Sequence, residues 1–462
     1  MSLLPIEQIE ANFADIHPAM TPAEAAVEAN RCLFCYDAPC MHACPTHIDI
    51  PGFIKKIASG NLKGSARVIF DANPVGATCA RVCPVEVLCE GACVENTLLQ
   101  KPIEIGRLQR HATDFAFAND LKLFAAGEAN GKSVGIVGSG PAGLSCATYL
   151  ARLGYAVAIY DRRPLAGGLD TYGMAEYKMT QAVSIAEVEQ AEDLGVEFLV
   201  STMITSSPPY EGGVAAASAD GVVLSEERSI SFADLQQRHD AVFLAVGLGE
   251  TNRLNIPGEE LEGVHDALHL IEMIKTREWD SVPIGKTVVV IGAGNTAVDA
   301  ATQAKRLGAE KVVMAYRRSQ KEMPAYDYEY ELAKQDGVEF VWQAKPVEVV
   351  ADAAGQRVAS LRCEKTNGSG EQFDIACDMV IKAVGQTKMR SFFTDVASVE
   401  VDEKDRVVVN EKMQTSDPKV FAGGDCVNGG GEAVEAAQMG KLAAIGIHDT
   451  LTGETAKFAG GR

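Results

Sequence analysis

An α/β architecture preceded by a helical, cysteine-rich segment is expected from the sequence, on three grounds. Of twelve cysteines, eight lie between Cys32 and Cys93. One block of sequence occurs twice: SVGIVGSGPAGLSCATYLARLG at 133–154 is echoed by TVVVIGAGNTAVDAATQAKRLG at 287–308. Each copy is an apolar run of strand length, a glycine turn and an amphipathic helix ending in Arg-Leu-Gly. Each then continues into a second apolar run, VAIYDRR or VVMAYRR. Strand, glycine turn, helix and strand make a βαβ unit, so two copies predict two Rossmann-like domains.

A chain of 462 residues is long for one core and suits two or three domains. Composition is ordinary, 47% hydrophobic and 23% charged, but the formal net charge is -21. Such a surface repels phosphates, which argues against nucleic acid or an anionic membrane as a partner; solubility is the simpler reading of the acidity. No apolar run is long enough to span a bilayer. The opening MSLLPIEQIEANFADIHPAM has neither the basic region nor the apolar core of a secretory signal, so a cytoplasmic protein is expected. Thiols stay reduced there, and the cysteines need a role other than disulfides.

In the first 120 residues the pattern is mostly helical. Thr21-Pro22-Ala23-Glu24 reads as a capping box with proline at the first helical position, starting a helix that runs into Asn30. Residues 121–131 (LKLFAAGEANG) read as a linker. The small, polar, Pro- and Gly-rich stretch at 206–221 (SSPPYEGGVAAASADG) reads as a surface loop or hairpin excursion.

The cysteines fall into two groups, Cys32-x2-Cys35-x4-Cys40-x3-Cys44-Pro45 and Cys79-x3-Cys83-Pro84-x4-Cys89-x3-Cys93. Thiolates are soft ligands for zinc or for iron–sulfur clusters. Zinc remains the structural alternative, because Cys-x2-Cys is half of many zinc sites. Spacings of three and four do not make two clean zinc pairs, and Cys-Pro after a ligand is a feature of iron–sulfur runs. Two cubane clusters need eight ligands, and all-cysteine ligation is the simple reading.

Gly138-Ser139-Gly140-Pro141-Ala142-Gly143 follows the first strand and opens a helix. The first glycine permits the tight turn, the second lets the backbone approach a pyrophosphate, and the third allows close helix–strand packing. The pyrophosphate sits at the positive helix N-terminus, where Pro141 and Ala142 stand. Asp161 ends the next strand, placed to accept from a ribose 2′-hydroxyl. Gly423-Gly424-Asp425 follows Lys419-Val420-Phe421-Ala422 and precedes a helix expected from Ala433 to Ile447. This is similar to the second FAD motif of two-dinucleotide flavoproteins, and Gly167-Gly168-Leu169 fits the same pattern. Ordinary turns are the alternative for the glycine pairs, and a helix-start carboxylate for Asp425.

The second turn is Gly292-Ala293-Gly294-Asn295-Thr296-Ala297, with alanine for the third glycine. Tyr316 stands where Asp161 stands in the first copy, so no carboxylate awaits a 2′-hydroxyl. Arg317 and Arg318 follow, and guanidinium groups bind phosphate bidentately, which favours NADP(H) over NAD(H). Solvent-facing strand-end charges are the alternative. Gly385 is placed with this nucleotide site as well.

Taken together, RCLFCYDAPCMHACPTHIDI at 31–50, CARVCPVEVLCEGAC at 79–93, IEIGRLQRHATDF at 103–115 and the two glycine turns resemble the flavin and iron–sulfur subunits of bacterial dihydropyrimidine dehydrogenase. They also resemble the N-terminal half of the fused eukaryotic enzyme and the glutamate synthase small subunit. Ile105-Gly106-Arg107-Leu108-Gln109 points to the dihydropyrimidine branch. The resemblance implies an N-terminal helical domain at 1–120 that binds two 4Fe-4S clusters. It also implies a discontinuous FAD domain at 121–255 and 380–462 and an NAD(P) domain at 256–379. In that branch the cysteine groups interleave and one cluster takes a glutamine. Cluster one would use Cys32, Cys35, Cys40 and Cys93, and cluster two Cys44, Cys83, Cys89 and Gln109, with Cys79 a non-ligand. An exposed helix residue is the plain alternative for Gln109. The family segment Gly-Ile-Pro-x-(Phe/Tyr)-(Arg/Lys)-(Leu/Met)-Pro stands here as Gly173-Met174-Ala175-Glu176-Tyr177-Lys178-Met179-Thr180, both prolines lost. The resemblance places Lys178 near the flavin. Tyr316-Arg317-Arg318 with Met323-Pro324-Ala325 resembles the NADPH-using relatives.

An electron-input subunit is expected: hydride passes from NAD(P)H to FAD by positioning, and clusters carry single electrons onward. No residue of the chain is expected to donate a proton to the final substrate. Little chain remains for a barrel that would hold FMN and reduce a pyrimidine, so an FMN-containing partner subunit is implied. Competing readings are a glutamate synthase small subunit and an entry module for another oxidoreductase, such as a 2-oxoacid dehydrogenase complex. A zinc-stabilised nucleotide-binding scaffold is the non-enzymatic reading.

Overall fold

The computed structural model describes residues 4–206 and 228–458. The loop expected at 206–221 lies, apart from Ser206, outside the described residues. The chain divides into two compact units. The larger comprises His17–Thr171, Gln181–Leu248 and Lys388–Arg462; the smaller comprises Met1–Ile16, Tyr172–Thr180 and Gly249–Thr387.

The larger unit begins with short helices. Pro22–Ala29 starts at Thr21 with both capping-box hydrogen bonds: Glu24 N donates to Thr21 Oγ1 at 3.3 Å, and Thr21 N donates to Glu24 at 2.8 Å. Asp49 and Asn61 cap Ile50–Ala58 and Leu62–Ala72 by accepting from Gly52 N and Gly64 N, 2.9 Å each. Phe53, Ile54, Ile57 and Ile69 recur at helical spacing and pack with Leu108 and Ala112 of the helix Ile105–Ala118. Cys44 and Cys89 belong to this core, with Cys32, Cys40 and Cys93 packed at its edge.

Residues 121–130 do not run free. Gly127 N and Asn130 N donate to Ala151 O and Gly154 O, 3.0 Å each, and Leu123 is buried. The chain then builds a five-stranded parallel sheet in the order Val420–Ala422, Ala241–Leu244, Ser133–Val137, Ala156–Tyr160, Glu197–Leu199. Its central strands are continuous apolar runs because a parallel sheet is covered on both faces.

The smaller unit repeats this plan. Its parallel sheet runs Glu339–Trp342, Lys311–Tyr316, Thr287–Ile291, Met379–Lys382, Val264–Asp266. In both sheets the first strand of the sequence repeat is central, with the second strand of its own βαβ unit on one side and a later strand on the other. The antiparallel strands Ala344–Ala351, Val358–Lys365 and Gln372–Ala376 add Val349, Leu361 and Cys363 to a core shared with Val289, Ile291 and Val313. Cys363 and Cys377 in this unit, and Cys146 and Cys426 in the larger one, are buried as small apolar side chains.

Within the larger unit a buried carboxylate ties the cysteine segment to the sheet segment. Glu187, on the helix Gln181–Glu192, accepts from Ala77 N at 2.7 Å, Thr78 N at 3.0 Å and Thr78 Oγ1 at 2.6 Å. Burial nevertheless pushes its carboxyl up from 4.5 to about 7, against those three hydrogen bonds. Since the folded chain holds this proton more tightly than the unfolded chain, its contribution is complete below about pH 4.5 and lost as pH rises through about 7. Over that window the thermal midpoint of the native chain should fall relative to that of Glu187→Gln. Parallel midpoint curves for the two proteins would show Glu187 ionised throughout.

Candidate functional site

Two cavities in the helical segment divide its sulfur atoms. The first is lined by Cys32, Cys35, Cys40 and Cys93 among apolar Ile50, Ile54 and Ile103. The second is lined by Cys44, Cys79, Cys83, Cys89 and Gln109. The path of the chain produces the interleaving. The short helix Pro39–Ala43 leaves Cys40 on the first cavity, and Cys44, at its C-cap, turns to the second. In the second group Cys83 and Cys89 serve the second cavity, while Cys93 crosses to the first.

Burial pushes the Cys32 and Cys89 thiols up and the Cys40 thiol up to about 12, and neighbouring thiols add to the effect. Cys83 is pushed up by a hydrogen bond with Cys79 and by burial. Such thiols become thiolates together only around a compensating cationic core. Among the described residues, no three His, Cys, Asp or Glu side chains converge where a single ion would sit. Four donors spaced around a cavity fit a polynuclear core, in which each iron takes its own ligand.

Gln109 is buried and donates its amide nitrogen to Gly76 O at 2.7 Å. That carbonyl can only accept, so the orientation of the amide is determined and Oε1 is the end left for the cavity. Lys441 is fully buried on the helix Ala433–Thr452 and donates to Thr46 O at 3.1 Å, two residues past Cys44. Burial brings its ammonium down to about 8.

The first glycine turn is a backbone cradle. At Gly138, φ is 101° and a Cβ would lie 2.3 Å from Ala245 O; at Gly143 it would lie 2.0 Å from Gly138 O. Gly168 approaches so closely that its Cβ would meet Gly140 Cα at 2.6 Å. One hydroxyl holds this approach: Ser139 Oγ donates to Asp161 Oδ2 at 2.5 Å and accepts from Gly167 N at 3.0 Å. Asp161 also accepts from Ser139 N at 2.8 Å and Arg163 N at 2.9 Å. Its carboxylate therefore braces the turn at the position expected to meet a ribose. Leu169, exposed, opens a single helical turn, Leu169–Tyr172. Gly424 abuts Ala142, with 3.1 Å between its would-be Cβ and the Ala142 Cβ. The second glycine motif thus reaches the N-terminus of the helix Pro141–Arg152. Asp425, its carboxyl raised by burial, accepts from Gly431 N at 3.1 Å. These bare glycine surfaces fit a dinucleotide pyrophosphate, which needs close backbone approach.

In the smaller unit, Gly292 (φ 136°) stands 2.3 Å, measured from its would-be Cβ, from Ala383 O, the counterpart of the Gly138–Ala245 approach. A Cβ on Gly294 would meet nothing within 4 Å, and Thr296 is exposed at the start of the helix Asn295–Arg306. That open helix N-terminus fits a second pyrophosphate. Asn295 Oδ1 accepts from Tyr326 N at 3.2 Å and Ala325 N donates to Ala293 O at 3.1 Å, which lays the segment around Met323-Pro324-Ala325 over the turn. Gly385 (φ 80°) accepts from Asn252 N at 2.9 Å. Arg317 and Arg318 are exposed past the end of the strand Lys311–Tyr316. Glu322, close enough to act on Arg318, has its Oε2 held by Ser319 N and Oγ at 3.1 and 2.9 Å.

Lys178 lies in the smaller unit, whereas both FAD-type turns lie in the larger. Its ammonium donates to Asp299 at 2.6 Å and Glu329 at 2.5 Å. Burial pulls that ammonium down, but Asp299, Tyr177 and Glu329 outweigh it and keep the charge. Glu176 likewise pairs with the fully buried Lys275 at 2.8 Å. Sequence reasoning did not single out Ser139, Asp299, Glu329 or Lys441. Ser139 sits at a variable position of the fingerprint, and the others are lone charges in helices without a motif. Lys178→Met leaves two buried carboxylates without their cation and should lower the unfolding free energy by about 3–5 kcal/mol. Chemical denaturation measures this. Unchanged stability with a displaced flavin potential would instead put the ammonium at the flavin.

Residues 132–440 match the family described as pyridine nucleotide-disulphide oxidoreductase, and residues 9–121 match dihydropyrimidine dehydrogenase domain II, 4Fe-4S cluster. The glutamate synthase [NADPH] small chain of Halomonas elongata is 33% identical over 95% of this chain and 93% of its own. The NAD-dependent dihydropyrimidine dehydrogenase subunit PreT of Escherichia coli is 33% identical over 96% and 98%. Among solved structures, Lactococcus lactis thioredoxin reductase superposes with a TM-score of 0.54 at 22% identity, over 70% of this chain and all (100%) of that one. Mycobacterium tuberculosis FprA in complex with NADPH gives 0.52 at 18% identity, over 70% and 85%. These structures share the two-dinucleotide fold. No helix among the described residues is long and apolar enough to cross a membrane. The chain belongs to the pyridine nucleotide-disulphide oxidoreductases that carry an N-terminal 4Fe-4S segment, and is an NAD(P)H-dependent oxidoreductase subunit with FAD and iron–sulfur cofactors.

Proposed function

We propose that the chain is the electron-input subunit of a cytoplasmic two-part oxidoreductase, joining NAD(P)H to an FMN-containing partner that interconverts uracil or thymine with the 5,6-dihydro forms. The observation that carries this is the gathering of the donors around two cavities in the same compact unit as the Gly138–Gly143 turn. Bound flavin takes up a hydride and gives up electrons singly, which is the conversion a two-cluster relay requires.

The chain's own residues supply positions and charge. Cys32, Cys35, Cys40 and Cys93 hold one cluster; Cys44, Cys83, Cys89 and Gln109 hold the other. Gly138, Gly140, Gly143 and Gly168 present bare backbone to the FAD pyrophosphate, and Ser139 keeps that surface in shape. Residues 1–120 act as the cluster domain, 121–255 with 380–462 as the FAD domain, and 256–379 as the NAD(P) domain. Ile105–Gln109 and the likeness to PreT support the pyrimidine partner. The exposed Arg317–Arg318 pair supports NADPH as donor, and with the equal likeness to a glutamate synthase [NADPH] small chain it supports a second reading, a glutamate synthase partner.

Anaerobic purification from the native host should yield yellow protein with about eight irons per chain and an FMN protein bound to it. An isolated chain that reduced uracil unaided would overturn the division of labour, and a co-purifying glutamine-hydrolysing subunit would select the second reading. Replacing Arg317 and Arg318 together by alanine should raise KM for NADPH about tenfold, some 1.4 kcal/mol of binding. Flavin reduction by NADH should be unaltered, and an equal effect on both nucleotides would show that the arginines do not read the 2′-phosphate.

A further inference from the structure

The second cavity holds one donor more than a four-iron core uses. Cys79 lines it together with Cys44, Cys83, Cys89 and Gln109, and is 4% exposed. It lies on the helix Gly76–Val82, one turn before Cys83, whose N–H donates to Cys79 O at 3.1 Å, so both sulfurs leave the same face. Gly76, the residue that fixes the Gln109 amide, is one turn earlier on the same helix. The amide oxygen and the spare thiol are thus delivered to the cavity from a common support.

A dedicated side chain holds the thiol. Asn73 is fully buried; its Oδ1 accepts from Val75 N at 3.1 Å, so its Nδ2 must face the other way, and it donates to Cys79 Sγ at 3.1 Å. A thiolate is the softer and stronger ligand for iron, while a neutral amide oxygen is a weak one. A weak resident ligand beside a strong idle one is an arrangement for exchange.

Resting on the two-cluster reading above, we propose that Cys79 is a reserve ligand of the second cluster, able to take the iron that Gln109 otherwise holds. In the exchange the iron–Oε1 bond breaks, the Cys79 S–H gives its proton to solvent, and an iron–sulfur bond forms. No iron changes oxidation state. The cluster gains one unit of negative charge, which lowers its reduction potential, because net charge is one of the terms that set it. The exchange would make the cluster a poorer acceptor of electrons from flavin.

Metal content and spectroscopy of the whole chain, purified anaerobically, test this. Wild type and Cys79→Ser should both carry about eight irons with the same electron paramagnetic resonance of the reduced second cluster. Gln109→Ala should keep its iron, with that cluster's signal altered and its potential displaced to more negative values. The double variant Gln109→Ala/Cys79→Ser should lose the cluster or retain it only as a three-iron form. Flavin content, held constant across the set, certifies folding. Gln109→Ala losing as much iron as the double variant would overturn the proposal. Loss of the second cluster in Cys79→Ser alone would also overturn it, by making Cys79 the resident ligand. Wild-type protein with only one cluster would instead defeat the two-cluster reading.

Discussion

Thiols gathered in an apolar core are the demanding feature of this chain. Cys32, Cys40, Cys83 and Cys89 are pushed toward their protonated forms by burial and by their neighbours, Cys40 to about 12. Yet Cys44 and Cys89 belong to the same packed core as Phe53, Ile54 and Leu108. Helices as short as Pro39–Ala43 and Gly76–Val82 are marginal on their own. Tertiary packing holds such pieces in register, and residues from distant parts of the chain meet around the same cavities. Cys93 joins the cavity of Cys32, and Gln109 that of Cys44, across more than half of the segment. Ligation is therefore part of the folding energetics of this segment as well as of its chemistry.

The two nucleotide turns meet a different requirement, that backbone replace side chain. Gly138 and Gly292 each press on the end of the neighbouring strand, at Ala245 O and Ala383 O, at the same 2.3 Å. The turns diverge at the third position. A Cβ on Gly143 would collide with Gly138 O, whereas Ala297 is accommodated fully buried. The first helix hence sits closer to its strand, and the first turn carries further supports, Ser139, Gly168 and Gly424, that the second lacks. A tightly built turn suits a resident cofactor. One in which a Cβ on Gly294 would meet nothing within 4 Å suits a nucleotide that comes and goes.

Much of this was legible because it is periodic or local. The repeat at 133–154 and 287–308 announced both parallel sheets, and Thr21-Pro22-Ala23-Glu24 announced a helix that begins where expected. The helix expected at Ala433–Ile447 runs to Thr452, since nothing before Gly453 opposes it, and a separate short turn, Asp425–Asn428, precedes it. Illegible features depend on residues far apart in sequence. Tyr172–Thr180 grouping with Gly249–Thr387 rests on Lys178 meeting Asp299 and Glu329, and on Glu176 meeting Lys275. No local pattern marks those partners. Residues 121–131 read as a linker because their composition is that of one, and are pinned at Gly127 and Asn130 by backbone bonds that composition does not encode.

The division into units carries a consequence for electron flow. Electron tunnelling weakens steeply with distance, so a flavin and its clusters must keep a constant separation, whereas a hydride donor need only visit. The larger unit holds the FAD-type turns and both cysteine cavities. It ties them with buried contacts, Glu187 to Ala77 and Thr78 and Lys441 to Thr46, and with half-buried ones, Tyr149 OH and Arg152 to Asp71 at 3.0 and 2.5 Å. Breaking the Glu187 or Tyr149 contact would leave a buried carboxyl or hydroxyl without that partner. The nicotinamide-type turn stands in the other unit, and its ion pairs, Lys178 with Asp299 and Glu329, are internal to that unit. Buried polar bonds are thus made inside each unit, and in the larger one they join the cysteine segment to the segment that carries the FAD-type turns.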